Sequence, residues 1–345
     1  QTCALPISVT FGLPKVGQLF YPGRARCGVL HLADIGFAER AVQAVSPVAH
    51  LLDADALRSV LPRRSGDAHK GSCGSVAVVA GSVGMTGAAA LTAEAALRAG
   101  SGRVSLGIPA SLNDVLEVKL TEVMTRPLPE VRRQRCLALR AFGEIETLYS
   151  RADVLALGPG LGAHGQTAEL VRRIVGRCRL PLVLDADGIN ALVGCTDVLR
   201  ARSGEAILTP HIGEFARLTG MHRDAIRADP IGVSRIFAQE HRVILVLKGA
   251  PSLIALPDGQ VLVNPTGNAG MATAGAGDVL TGLVAGFWAQ GMSARDAACL
   301  AVYVHGAAGD RARDDLGEWS MLAGDIAAQV PNALVEMASN RSGYT

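Results

Sequence analysis

The chain has 345 residues, 49% hydrophobic and 19% charged, with a formal net charge of +2. This is ample apolar material for one large α/β domain plus a small extra piece, or for two modest domains. The near-neutral balance, the lack of a dense Lys/Arg run and an aromatic content of 4% speak against a nucleic-acid surface.

The N-terminus shows neither a basic n-region nor an apolar h-region, so no secretory signal is expected. A first residue Gln1 instead of Met reads as a fragment or a processed product. Thr10–Phe37 holds short extended runs and turns and is too short to bury a core of its own. Residues 38–69 read as one or two helices and a connecting loop. The uncharged run Ser72–Ala93 is long, but Gly74, Gly81, Gly84 and Gly87 interrupt it and its pattern switches from strand to helix, which argues against a membrane span. Cys3, Cys27, Cys73, Cys136, Cys178, Cys195 and Cys299 form no C-x-x-C pair. They read as small buried hydrophobes in a reducing compartment, hence a cytoplasmic chain. The eight histidines show no H-E-x-x-H or comparable metal-ligand spacing.

From about Lys70 onward, apolar runs alternate with helical patterns. Ser75–Ala80, Arg103–Gly107, Ala152–Leu157, Leu180–Leu184, Ala206–Leu208 and Val243–Lys248 read as buried strands, with helices such as Ala88–Ala99 and Thr167–Val175 between them. Continuous apolar strands alternating with helices imply a parallel sheet covered on both faces and joined by right-handed crossovers. Ligands bind such sheets beyond the carboxyl ends of the strands. Five strand ends run into candidate ligand loops: Gly81–Gly87, Gly158–Gly162, Asp185–Asn190, Thr209–Glu214 and Gly249–Ser252.

The glycines Gly81, Gly84 and Gly87 lack the G-x-G-x-x-G spacing, and no acidic residue ends the next strand, so a Rossmann dinucleotide site is not expected. No G-x-x-x-x-G-K-[ST] occurs either. Asp185, Asp187 and Asn190 either cap the following helix or contact magnesium or the reacting part of a substrate. His211 and Glu214 project toward the same rim. Lys248–Ser252 reads as a holder of nucleotide phosphate or ribose, or as a strand-end turn with a solvated Lys. Cys73, Met85 and Met271 read as packing.

The most informative stretch is Thr266–Asp278, bare of bulky side chains and followed by a helix whose apolar face carries Val279, Leu280, Leu283, Val284, Phe287 and Trp288. Free backbone N–H groups and a helix N-terminus form an anion site. Asp278 in that site reads either as an N-cap or as a base taking a proton from a hydroxyl about to be phosphorylated; the small Gly275-Ala-Gly277 ahead of it favours the second.

Taken together, K-G-S-x-G, G-S-x-G-x-x-G-A, G-P-G-L-G, D-A-D-x-x-N, T-P-H-x-G-E, K-G-A and N-x-x-G-M-A-T-A-G-x-G-D resemble the ADP- or ATP-dependent NAD(P)H-hydrate dehydratases of the ribokinase-like superfamily, over about Lys70–Val330. Residues 9–37 resemble the last strands of an NAD(P)H-hydrate epimerase domain, and residues 1–8 match neither. The resemblance implies a three-layer αβα sandwich with a mostly parallel sheet over 51–340, preceded by a truncated epimerase-like tail over 1–50 without epimerase activity. It implies that Ala88, Gly160, His211 and Asp278 contact substrate, joined by Asp187 and Asn190. Lys248, Gly249, Ala250, Pro251, Ser252, Gly275 and Gly277 would hold the nucleotide, with Asp278 catalytic and Glu214 a magnesium ligand. Pro251 and Ser252 stand where a Thr-bearing loop is common.

The implied reaction phosphorylates the ring hydroxyl of the S-form of hydrated NAD(P)H, with ADP or ATP as donor, and eliminates phosphate to restore NAD(P)H. Bacterial relatives favour ADP, and a homotetramer is implied. A small-molecule kinase acting on a thiazole or pyrimidine alcohol and a nucleotide-binding module without catalysis are the rival readings.

Overall fold

In the computed structural model, residues 7–339 are described, and the chain divides after His50 into two units. Residues 1–6 fall outside the described part, and with them Cys3 and most of the segment that matched neither domain.

The first unit contains two parallel strands, β1 (Ile7–Phe11) and β2 (Val29–Ala33), in register from Ile7↔Val29 to Phe11↔Ala33. Two one-turn helices, Val16–Leu19 and Arg24–Cys27, connect them. Ile7, Val9 and Phe11 are each more than half exposed, as expected of a segment too short to enclose a core.

The second unit is built on a sheet in the order β3-β14-β13-β12-β11-β10-β9-β4-β5-β6. These are β3 (His50–Leu51), β4 (Ser75–Val79), β5 (Arg103–Pro109), β6 (Met124–Leu128), β9 (Val154–Leu157), β10 (Leu182–Leu184), β11 (Ala206–Leu208), β12 (Ile244–Leu247), β13 (Leu253–Ala255) and β14 (Val261–Val263). The short strands β7 (Glu130–Val131) and β8 (Cys136–Leu137) form a separate antiparallel pair. From β12 to β6 the sheet is parallel; β13 and β14 add an antiparallel edge.

Every residue of β4 and β9 is buried, because uncharged SVAVV and VLAL can sit between two helical layers. Side chains alternate between faces. Val76, Val78, Val104 and Leu106 join one core with helices Thr86–Arg98, Ala276–Ala289, Ala294–Leu316 and Ala323–Ser339. Each such fully buried side chain contributes at most about 1.5–3 kcal/mol relative to exposure.

All six expected strands are present: four have shorter ends, Ala206–Leu208 keeps its bounds, and Arg103–Pro109 runs two residues further than expected. The fourth begins at Leu182 because Pro181 has no N–H to give to a ladder. The β13–β14 hairpin was not anticipated, although Asp258-Gly259 between two apolar runs is its signal; Leu256 N–H donates to Gln260 O across that turn. Helix Thr86–Arg98 packs against helix Ala276–Ala289 through small residues. A Cβ on Gly282 would collide with the Thr92 carbonyl, so the two backbones approach as closely as glycine permits.

Four side chains read as buried or packed are corrected. Cys195 is exposed and Cys27 and Cys73 are half-buried, whereas Cys136, Cys178 and Cys299 are buried. Cys195 follows the turn at Gly194, on a surface connection. Met85 lies 38% exposed at the mouth of a strand-end loop. Among the described residues no helix is long and apolar enough to cross a membrane; Ser72–Ala93 contains β4 and the start of helix Thr86–Arg98.

Candidate active site

The five loops singled out above follow β4, β9, β10, β11 and β12, which are consecutive neighbours in the sheet. Their carboxyl ends therefore form one rim. The chain order reverses between β4 and β9, with β5 and β6 on one side and β10 to β12 on the other, which is where open parallel sheets bind ligands. Helix Ala276–Ala289 packs on β4, β9 and β10 and brings its N-terminus to this rim.

That helix begins with Gly275 at φ +94°, a left-handed conformation that glycine adopts without strain, and no side chain caps it. Ala276 N–H donates to Thr273 O and Val279 N–H to Gly275 O. The N–H groups of Gly275, Gly277 and Asp278 have no partner among the described residues, so they and the helix dipole are free for an anion. Asp278 is the third residue of the helix, not its cap. Its carboxylate accepts no hydrogen bond from the chain among the described residues. Burial, reinforced by the negative charge of Asp185 and opposed by Lys248, pushes its pKa up to about 7. A carboxylate so poised can take a proton near neutral pH.

Asp185, 1% exposed, accepts from Lys248 Nζ at 2.7 Å and from Thr281 Oγ1 at 2.8 Å. Lys248 Nζ also lies 3.8 Å from Glu214. Burial pulls the Lys248 pKa down, but the charges of Asp185 and Glu214 outweigh it and hold it above its ordinary value. The lysine is thus a fixed internal cation instead of a solvated strand-end side chain. It sits directly behind the anion loop: a Cβ on Gly277 would stand 3.0 Å from its Nζ.

His211 caps helix Ile212–Thr219, its Nδ1 accepting from Gly213 N–H at 2.8 Å and Glu214 N–H at 3.3 Å. Glu214 completes a capping box by accepting from His211 N–H at 2.8 Å. Because Nδ1 accepts, the ring is neutral and Nε2 carries the hydrogen; burial holds the His211 pKa below its ordinary value. The side chain remains 54% exposed and faces the rim.

Other expected site residues are occupied locally. Asp187 accepts from Gly162 N–H at 2.8 Å, fastening the β9 loop to the β10 loop. Asn190 donates to Asp187 at 3.3 Å and accepts from Arg217 at 3.0 Å. Asp187 and Asn190 thus tie neighbouring segments together, and neither caps the following helix, which has no side-chain cap. Gly160 and Ala88 come together, since a Cβ on Gly160 would lie 3.1 Å from Ala88 Cβ. Gly249 and Ser252 bond each other across a turn that includes Ala250 and Pro251.

Sequence reasoning missed the support behind the anion loop. Asp310 accepts from Gly267 N–H at 2.9 Å and Asn268 Nδ2 at 3.0 Å, tying the loop to helix Ala294–Leu316. Thr281 and His305 were missed as well: each lies inside a helix and meets the site only in three dimensions.

The sequence profile of the family described as NAD(P)H-hydrate dehydratase matches residues 76–332. A bifunctional NAD(P)H-hydrate repair enzyme Nnr of Moorella thermoacetica is 45% identical over 327 residues, covering 95% of this chain and 62% of that protein. This chain thus spans under two thirds of the length of such bifunctional relatives. An ADP-dependent (S)-NAD(P)H-hydrate dehydratase of Xanthomonas campestris is 36% identical over 84% of this chain and 97% of its own length. The crystal structure of the Bacillus subtilis ADP/ATP-dependent NAD(P)H-hydrate dehydratase, co-crystallised with ATP/Mg2+, superposes with a TM-score of 0.74 at 29% identity, over 84% of this chain and 99% of that one. With this profile spanning most of a ribokinase-like fold whose glycine loop and Asp278 stand at the sheet's switch point, the chain belongs to the NAD(P)H-hydrate dehydratase family.

Proposed function

We propose that this chain restores NAD(P)H from the S-form of its hydrate, using ADP as phosphoryl donor. The observation that carries the reading is Asp278, an unbonded carboxylate with a pKa of about 7 beside free N–H groups at a helix N-terminus. Asp278 takes the proton of the ring hydroxyl as the terminal phosphoryl group passes to that oxygen, releasing AMP. The ring nitrogen's lone pair then expels phosphate, and loss of a proton from the neighbouring carbon restores the double bond. The N–H groups of Gly275, Gly277 and Asp278 meet the charge on the transferred group, and Lys248 supports them from behind.

Ala88, Gly160 and His211 line the substrate side, with Asp187 and Asn190 holding its loops, while Gly249 to Ser252 cover the nucleotide. Among the described residues no group of three or more His, Cys, Asp or Glu side chains forms a cage. Magnesium keeps waters and uses one or two carboxylates with substrate phosphates, so it does not require such a cage. Glu214, whose Oε1 lies 3.5 Å from His211 Nε2, would be a chain ligand to the ion, which would there offset phosphate charge.

Residues 9–37 form the tail of an epimerase-like domain in this reading, supported by an alignment with the bifunctional relative that extends through 95% of the chain. The enzyme works as a cytoplasmic homotetramer, which light scattering checks by mass. The deciding assay incubates the purified chain with hydrated NADH, magnesium and ADP or ATP and follows the near-ultraviolet absorbance of reduced nicotinamide. Nucleotide-dependent recovery is the expected result. Nucleotide binding without recovery, or a stable phosphorylated product from a thiazole or pyrimidine alcohol, would overturn the reading.

A further inference from the structure

His305 lies inside helix Ala294–Leu316, behind the anion loop, and its Nε2 is 2.9 Å from the carbonyl oxygen of Ala276. A carbonyl only accepts, so Nε2 carries the hydrogen and His305 is the donor. Burial, with Lys248 nearby, pushes its pKa down to about 4, which keeps the ring a neutral single donor throughout the working range of the enzyme. The acceptor is no ordinary helix carbonyl. Ala276 is the first residue of helix Ala276–Ala289, and its C=O shares one rigid peptide group with the N–H of Gly277. That N–H has no partner among the described residues and belongs to the free set at the helix N-terminus.

We infer that His305 is a positioning residue for the anion site, orienting and polarising the Ala276–Gly277 peptide so that Gly277 N–H donates more strongly to the transferring phosphoryl group. The inference rests on the proposed function for the identity of that group. The physics is the coupling of the two ends of one amide. A hydrogen bond to the oxygen draws electron density toward it and leaves the N–H more positive, an effect that grows in a low-dielectric site. It also resists rotation of the first peptide of the helix, where one side is otherwise open. Asp310, five residues further along the same helix, grips Gly267 and Asn268 at the loop's other end. One helix thus holds the loop at both ends.

The bland alternative is that a buried histidine merely satisfies its own N–H. Two variants separate the readings: His305→Leu removes the donor, and His305→Gln retains an N–H near the same place. For a donor acting on developing charge, kcat of His305→Leu falls about ten- to a hundred-fold, less than the loss for deleting an oxyanion donor outright. KM for ADP stays within about threefold, the Asp278-controlled pH limb does not move, and His305→Gln recovers most of the loss. Turnover of His305→Leu within twofold of the parent overturns the inference. So does an equal loss in both variants that tracks a fall in Tm.

The amide resonance of Gly277 in the ligand-free protein is read alongside. It moves upfield in His305→Leu and returns toward its place in His305→Gln if the peptide is polarised, and stays put if it is not. This readout needs no turnover. If the parent fails to restore NADH, the proposed reaction fails, while the Gly277 resonance still decides the role of His305.

Discussion

Helices Thr86–Arg98 and Ala276–Ala289 use bare positions in two opposite ways. Along their bodies, Gly282 and Gly286 are bare so that another backbone can close in, and no space remains. At the N-terminus, Gly275 and Gly277 are bare and their N–H groups stay unpaired among the described residues. The body is a packed core; the end is a prepared gap. Small residues alone therefore do not mark a site. What marks it is small residues combined with unspent donors and a carboxylate that accepts no hydrogen bond among the described residues.

The largest test of that contrast is Asp278→Asn. Loss of a general base lowers turnover by about 10²–10⁴ in the absorbance assay, with ADP affinity by calorimetry nearly unchanged. Next is Asp185→Ala, which takes from the buried Lys248 charge its nearest partner and leaves Glu214 at 3.8 Å. Urea denaturation should show a stability loss of about 3–5 kcal/mol, together with reduced turnover. Gly282→Val attacks the body only. Overpacking there costs about 1–3 kcal/mol, while the folded fraction retains its turnover per site.

A smaller effect runs the other way. The folded state keeps the Asp278 proton up to about pH 7, whereas the unfolded chain releases it near its ordinary value of 3.8. Stability of the ligand-free protein therefore falls as pH rises through that window and levels off above it. Asp278→Asn removes this dependence. At pH 8 it should raise stability by about 1–2 kcal/mol, allowing for partial solvent screening, with no gain near pH 4. In the proposed mechanism the same group sets the pH dependence of turnover. A limb rising through about pH 7 is expected, and a profile flat from pH 5.5 to 8.5 would remove Asp278 as the base.

Much of the fold was legible because parallel strands leave a plain trace. Segments such as SVAVV and VLAL have no polar face to offer water, so they must lie between layers. The β13–β14 edge was harder, since three-residue strands carry little periodicity and only Asp258-Gly259 announced the turn. In the site, Asp278 and the glycine loop were readable because their chemistry is local: a bare loop, a helix start and one acid lie within a dozen residues. Lys248 was assigned to a ligand while its Nζ is held by Asp185, 63 positions away in sequence. Asp187 and Asn190 were legible only as either helix caps or ligand contacts, and their partners, Gly162 and Arg217, come from other segments.

The order of apolar and bare segments by itself determined the parallel sheet, the rim on which five loops meet and the family of the chain, because those features depend on local pattern and on connection rules. Tertiary structure alone decided which charges are spent and which are free. Whether a carboxylate is paired depends on what distant segments place beside it, and burial then turns that pairing into a pKa. Asp185 and Asp278 are the same residue type at the same rim. One is locked to Lys248 and Thr281, and the other is left without a hydrogen-bond partner among the described residues, its pKa raised to about 7.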